Sequence, residues 1–355
     1  MPLIIKGGQV PPLWAEKTSL RRNGTQPNAT TPACLRIAFI NNMPDPALED
    51  TELQFFELLD IASEDVPVFL RLYSLTGVPR TDRGQRHLNS FYSSLDSLWN
   101  DHVDALIMTG TEPRAADLRD ETYWPALTQV LDWAETNTVS TILSCLAAHA
   151  GVLHSDGIGR HRLPDKQFGV FDFTRSTSHH LTANAGDRVR FPHSRWNEVR
   201  AAELAACGYQ VLTESIDGGV DSFVKKKKRS LFVHFQGHPE YGAQTLLKEY
   251  RRDIKRFLKH ERESYPSVPK GYFDEPSARL LDEFRDAAIS DRREETIERF
   301  PDSAVGRLQK TWHACAVNVY SNWLQYVISR RANVAAIPAL AAVYHQSTRK
   351  RSAAR

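Results

Sequence analysis

The stretch Thr138–Gly151, TVSTILSCLAAHAG, decides the fold. Its first half, TVSTIL, is β-branched and apolar and predicts a buried parallel strand. Leu146 to Gly151 predicts the first turns of a helix. A strand that passes at once into a helix puts the junction residue, Cys145, on a sharp turn above the carboxyl edge of the sheet. There the next amide and the helix amino end face any charge that develops. That is the position of a nucleophile elbow. On this stretch alone, a buried free thiol at a strand end is the competing explanation.

Outward from this junction the same rhythm repeats. LRIAFINN (35–42), VPVFLRLYSL (66–75) and VDALIMTG (103–110) are strands that are apolar on both faces. TELQFFELLDIA (51–62) and WPALTQVLDWAETN (124–137) carry wide helical stripes. Asp45 is placed to cap the first of these helices and Pro46 to occupy its first position. Residues 76–92 are polar and read as turns. The pattern predicts an α/β fold, a mostly parallel sheet with helices on both faces. In such sheets ligands bind beyond the strands' carboxyl ends, so Asn41–Asn42, Thr109–Arg114 and Cys145 should share one edge.

From 163 to 240 the strands QFGVFDF, RVRFPHS, YQVLTES, VDSFVKK and SLFVHFQ follow one another with little helix, predicting an antiparallel or mixed extension. KKKKR (225–229) reads as a hairpin tip, with a phosphate contact as its alternative. Helices are predicted over 243–260 and 312–329, and a charged helical region lies near 275–300. The expected organisation is an irregular leader (1–33), a catalytic domain (34–272), a helical segment packed on the core (273–330) and a basic tail (331–355).

The totals are those of an ordinary globular chain: 355 residues, 41% hydrophobic, 25% charged, net charge +2. No motif supports a nucleic-acid partner and no apolar run approaches membrane-spanning length. The scattered Cys34, Cys145, Cys207 and Cys315 argue against a zinc knuckle or a disulfide framework and for a reducing cytoplasm. His149, His154, His161, His179 and His180 have no standard metal spacing, so no metal is expected.

A cysteine nucleophile needs a base, and the base an orienting group. His238 closes the last apolar strand in Gly237-His238-Pro239-Glu240. Residues i and i+2 of an extended segment point the same way, so Glu240 can hold one imidazole nitrogen while the other faces Cys145.

This order resembles class I glutamine amidotransferases and, more closely, the homoserine O-acyltransferases of methionine biosynthesis. The similar stretches are NMP (42–44), T-x-x-Q (51–54), TG (109–110), YW (123–124), Cys145 with Ala148 and Ala150-Gly151, LP-x-K-x-FGVF (163–171), PHSR (192–195) with Glu198, GHPEY (237–241), L-x-x-EY-x-RD (246–253) and SNWL-x-Y (321–326). The resemblance implies a transacylase, usually a homodimer, that takes succinyl-CoA or acetyl-CoA as co-substrate without a bound cofactor. It implies Cys145 as nucleophile, His238 as base and Glu240 as its partner. Arg252 and Glu249 would hold the amino acid's carboxylate and amine, and Lys166 and Ser194 would line the same pocket. The Leu146 amide and a second amide near Asn42 or Gly110 would meet the oxyanion. Where the family commonly has Trp-Gly after the cysteine and Gln before Ala-Gly, this chain has Leu146-Ala147 and His149. Arg114 stands where the family tunes acyl choice, and an arginine there favours succinyl over acetyl. Serine as acceptor, a glutaminase-type hydrolase and an inactive binding module are the rival readings.

Overall fold

The computed structural model describes residues 3–5, 11–19, 34–302 and 308–331. The described residues form one ten-stranded sheet. Its parallel half comprises β1 (Leu3–Ile5), β2 (Leu35–Ile40), β3 (Val68–Tyr73), β4 (Ala105–Met108), β5 (Ser140–Ser144) and β10 (Ser230–Phe235), in the order β1-β3-β2-β4-β5-β10. The antiparallel half continues from β10 through β9 (Gly219–Lys227), β8 (Gln210–Ser215) and β6 (His161–Arg175) to β7 (Arg188–Glu198). The expected α/β class and its antiparallel extension are both found.

Both faces of the parallel half are covered, which is why its strands read as unbroken apolar runs. On one face Phe39, Ile107, Ile142 and Val233 pack with Phe55 and Phe56 of α2 (Asp45–Ala62) and with Tyr320 and Trp323 of the helix over 313–331. On the other, Ile40, Met108 and Leu143 pack with α4 (Trp124–Asn137) and α5 (Leu146–Asp156). The C-terminal helix is tied in by Trp323 Nε1, which donates to Ser140 Oγ at 2.9 Å, and by Trp312 Nε1, which donates to Tyr241 O at 3.0 Å.

Three expectations need correction. The leader is not irregular throughout: Leu3–Ile5 adds a parallel edge strand beside β3, and α1 (Pro12–Ser19) brings Trp14 against Phe56. Residues 76–92 contain α3 (Asp82–Phe91), capped by Thr81; its stripe is short and mostly polar, so periodicity alone does not reveal it. Asp45 is not the cap of α2. Pro44 holds that position, and Asp45 accepts from the Thr81 amide at 2.7 Å and from Arg80 at 3.2 Å, clamping the following loop. The KKKKR run ends β9 and forms the turn into β10, with Lys228 at φ 45° bound to Glu135 at 2.9 Å. The basic tail lies outside the described residues.

Candidate active site

The loops after β2, β4, β5 and β10 all open at one edge of the sheet, because parallel pairing aligns the strand ends. Cys145 sits there at φ 53°, ψ −113°, a conformation that is strained for any residue with a Cβ. Its amide donates to Phe235 O at 2.7 Å, and its carbonyl accepts from the amides of Ala148 and His149. The thiol is therefore pinned between the two strands that carry the candidate nucleophile and the candidate base.

Gly237 turns the chain sharply after β10. A Cβ there would come within 2.6 Å of His193 Nε2, so only glycine fits. His238 follows, buried, with its amide on Pro192 O at 2.8 Å. Its Nδ1 is 2.8 Å from Glu240 Oε1, and its side chain is hydrogen-bonded to Cys145. Burial alone would drive the imidazole's pKa down. The charges of Cys145 and Glu240 outweigh it and hold the ring well above the ordinary histidine range. Glu240 is itself buried and also accepts from Ser144 Oγ at 3.4 Å. The sequence argument from i and i+2 alignment thus describes the observed line from thiol to imidazole to carboxylate.

Beside this line lies a cluster of polar and charged side chains. Tyr241 stacks on His238 and donates its hydroxyl to Glu249 Oε1 at 2.6 Å; Ser194 Oγ donates to Glu249 Oε2. Lys166 is 3.0 Å from Asp253 and 3.6 Å from Glu249, and Arg252 is 3.2 Å from Asp253. Burial raises the Asp253 pKa, but Lys166 and Arg252 outweigh it and keep the carboxyl below its usual range. Of the five substrate-binding residues named from the sequence, Lys166, Ser194, Glu249 and Arg252 are therefore brought together, whereas Arg114 lies on the loop after β4. Tyr241 and Asp253 were passed over, although both stand inside quoted motifs, GHPEY and L-x-x-EY-x-RD.

The amides are less uniform. Gly110 lies against the start of α5, where a Cβ would be 2.9 Å from Leu146 N. Asn42 corrects the expectation: its amide donates to Thr109 Oγ1 at 2.8 Å, and its side chain ties Thr109 O to the Leu75 amide, so it braces three strand ends. Arg114 is exposed on the loop after β4; its amide and that of Ala115 are held by the buried Glu121 carboxylate at 2.5 and 2.7 Å. His149 bonds Gln236 Oε1 at 2.9 Å, and burial pushes its pKa down to about 3, so it is neutral. The other singled-out histidines have partners too: His154 on Asp132, His161 on Glu203, His180 stacked on Tyr326 and His179 tilted against His180. Among the described residues no His, Cys, Asp and Glu side chains group as a metal site, and no helix is long and apolar enough to cross a membrane.

Fold and site together define an α/β protein whose largely parallel sheet carries a cysteine at a strand-to-helix turn. The homoserine O-succinyltransferase family model matches residues 20–334, and the chain belongs to that family of acyltransferases. It is 43% identical to the homoserine O-succinyltransferase of Methylorubrum extorquens over 84% of this chain and 88% of that one. The Rhodopseudomonas palustris protein of the same name is 44% identical over 82% and 87%, and that of Bradyrhizobium japonicum 42% over 86% and 93%. Among solved structures, a glutamine amidotransferase from Methylobacillus flagellatus aligns with a TM-score of 0.47 at 15% identity, covering 83% of this chain and 96% of that one.

Proposed function

We propose that this acyltransferase moves a succinyl group from succinyl-CoA to the hydroxyl of homoserine, in methionine biosynthesis, through a thioester on Cys145. The observation that carries the reading is the Cys145–His238–Glu240 line, its imidazole and carboxylate buried, beside a cluster of charged side chains. The Cys145 thiolate attacks the donor carbonyl and the C–S bond to CoA breaks. CoA leaves with the proton held by His238. One thioester replaces another, so the acyl-enzyme forms at little thermodynamic cost. The homoserine hydroxyl then gives its proton to His238 and attacks; a C–O bond forms and the Cys145 sulfur is released. The amides of Leu146 and Gly110 receive the oxyanion, each donor worth about 2.7–4 kcal/mol. Glu249 takes the amino group of homoserine and Arg252 its carboxylate, with Lys166 and Ser194 setting the positions of both. Cytoplasmic location and a homodimer belong to the same reading, and light scattering checks the second.

The test is a donor-by-acceptor matrix: CoA release from succinyl-CoA and acetyl-CoA with homoserine, serine or neither. Release that depends on homoserine and favours succinyl-CoA is the expected result. Ammonia from glutamine without CoA release would make the chain a hydrolase instead. Arg114→Glu should move the donor ratio from succinyl towards acetyl; an unmoved ratio removes Arg114 from the specificity argument. Intact mass should show a succinyl adduct on the wild type that is lost in Cys145→Ala.

A further inference from the structure

The registers of β6 and β7 separate beside the pocket. Arg162 pairs with Asn197 and Gln167 with Arg195, so Leu163, Pro164, Asp165 and Lys166 stand opposite the single residue Trp196. This bulge carries Lys166 to Asp253 and leaves Trp196 uncovered by a neighbouring strand residue. Trp196 lies two residues beyond Ser194 and so faces the same side of β7, on the order of 6–7 Å further along. It is 36% exposed, and the Arg162 guanidinium lies 4.3 Å over its indole.

Arg160 continues this surface. Its Nη2 donates to Ala116 O at 3.4 Å, in the loop that leaves Gly110 beside the Leu146 amide. Neither Arg160 nor Arg162 has a carboxylate at ion-pair distance among the described residues. The acids that face Arg160 are engaged elsewhere: Asp117 holds Arg119 at 2.6 Å, and Glu121 holds the amides of Arg114 and Ala115. Two adjacent guanidinium groups without an ion pair among the described residues, one of them lying over a partly exposed indole two residues along the strand from Ser194, match a purine that carries phosphates.

We propose that Trp196, Arg162 and Arg160 seat the phosphorylated adenosine end of the acyl-CoA donor, with the purine on the indole and the phosphates on the guanidinium groups. The pantetheine arm then runs past Ser194 to Cys145. This rests on the acyl-CoA reading above and adds the site that recognises the nucleotide.

The experiment compares kcat/KM for succinyl-CoA and for succinyl-pantetheine, which lacks the nucleotide, at saturating homoserine. The wild type should prefer succinyl-CoA, and adenosine 3′,5′-bisphosphate should compete with it. Trp196→Ala and Arg162→Ala should each reduce that preference by roughly tenfold, while Trp196→Phe retains most of it. The bisphosphate should inhibit both alanine variants less. A preference unchanged in both variants, or both donors falling in parallel, overturns the nucleotide site. A wild type that turns over neither thioester overturns the acyl-CoA reading as well, so the two failures are told apart.

Discussion

The Tyr241 ring lies flat against the His238 imidazole, 4.1 Å between centroids and 17° between planes, while its hydroxyl holds Glu249 at 2.6 Å. One side chain therefore touches both the candidate base and the candidate amino-acid pocket. Burial, with the Glu249 charge, pushes the phenol pKa well above its usual value, so the hydroxyl stays protonated and donates. Removing it by Tyr241→Phe keeps the stack and loses one hydrogen bond to a charged group, worth about 1.5–3 kcal/mol. The KM for homoserine should rise about tenfold or more. CoA release without acceptor, followed by stopped flow, should change little. Slowing of that first half-reaction in Tyr241→Phe would show that the hydroxyl serves the base and not the acceptor.

Gly110→Ala tests the oxyanion assignment. The added Cβ would stand 2.7 Å from Leu146 Cβ and 2.9 Å from Leu146 N, so one of the two loops must shift. We expect kcat to fall about 10²-fold, the size of one lost oxyanion donor. Overpacking should cost about 1–3 kcal/mol in urea unfolding. A stable variant with normal kcat would remove Gly110 from the oxyanion site.

Glu240→Gln keeps the shape of the side chain and removes the charge facing His238 Nδ1. His238 is held above the ordinary histidine range by Cys145 and Glu240 acting against burial, so the imidazolium persists to higher pH than usual. Without Glu240 that pKa falls. The alkaline limb of Cys145 alkylation by iodoacetamide should therefore move to lower pH, and kcat should fall by roughly 10²–10⁴. An alkaline limb that stays in place would mean Glu240 does not set the base.

Acid should destabilise the fold through buried neutral histidines. Burial pushes His149 and His234 down to about 3 and His193 to about 4, whereas an unfolded histidine titrates near 6.5. Between those values the unfolded chain binds more protons, so stability falls as pH drops below about 6.5. The slope is about 1.4 kcal/mol per pH unit for each such group. His238 adds no slope there, because its raised pKa leaves it protonated in both states. His149→Gln should remove one share of the slope between pH 6 and 4.5, measured by urea midpoints; an unaltered slope would place the loss elsewhere.

Much of this site was legible in the residues. Cys145 after TVSTIL and His238 after SLFVHFQ read as strand ends, and period-two geometry aligned Glu240 with His238. Local sequence carries such information because strand and turn preferences act over a few residues. Other features were not legible. The Asn42 amide is lost to a hydroxyl 67 residues away. Trp196 is exposed by a bulge on a strand that is distant in sequence.

The sequence by itself determined the order of strands and helices, the glycine-punctuated turns and the residue types that can carry acyl transfer. Those follow from steric and periodic preferences that each segment expresses alone. Only the tertiary structure decided that the Asn42 amide is taken up by Thr109, that Lys166 meets Asp253 and Glu249, and that Tyr241 touches both His238 and Glu249. Such pairings depend on registers and loop paths set by burial of the whole sheet, and no single segment encodes them.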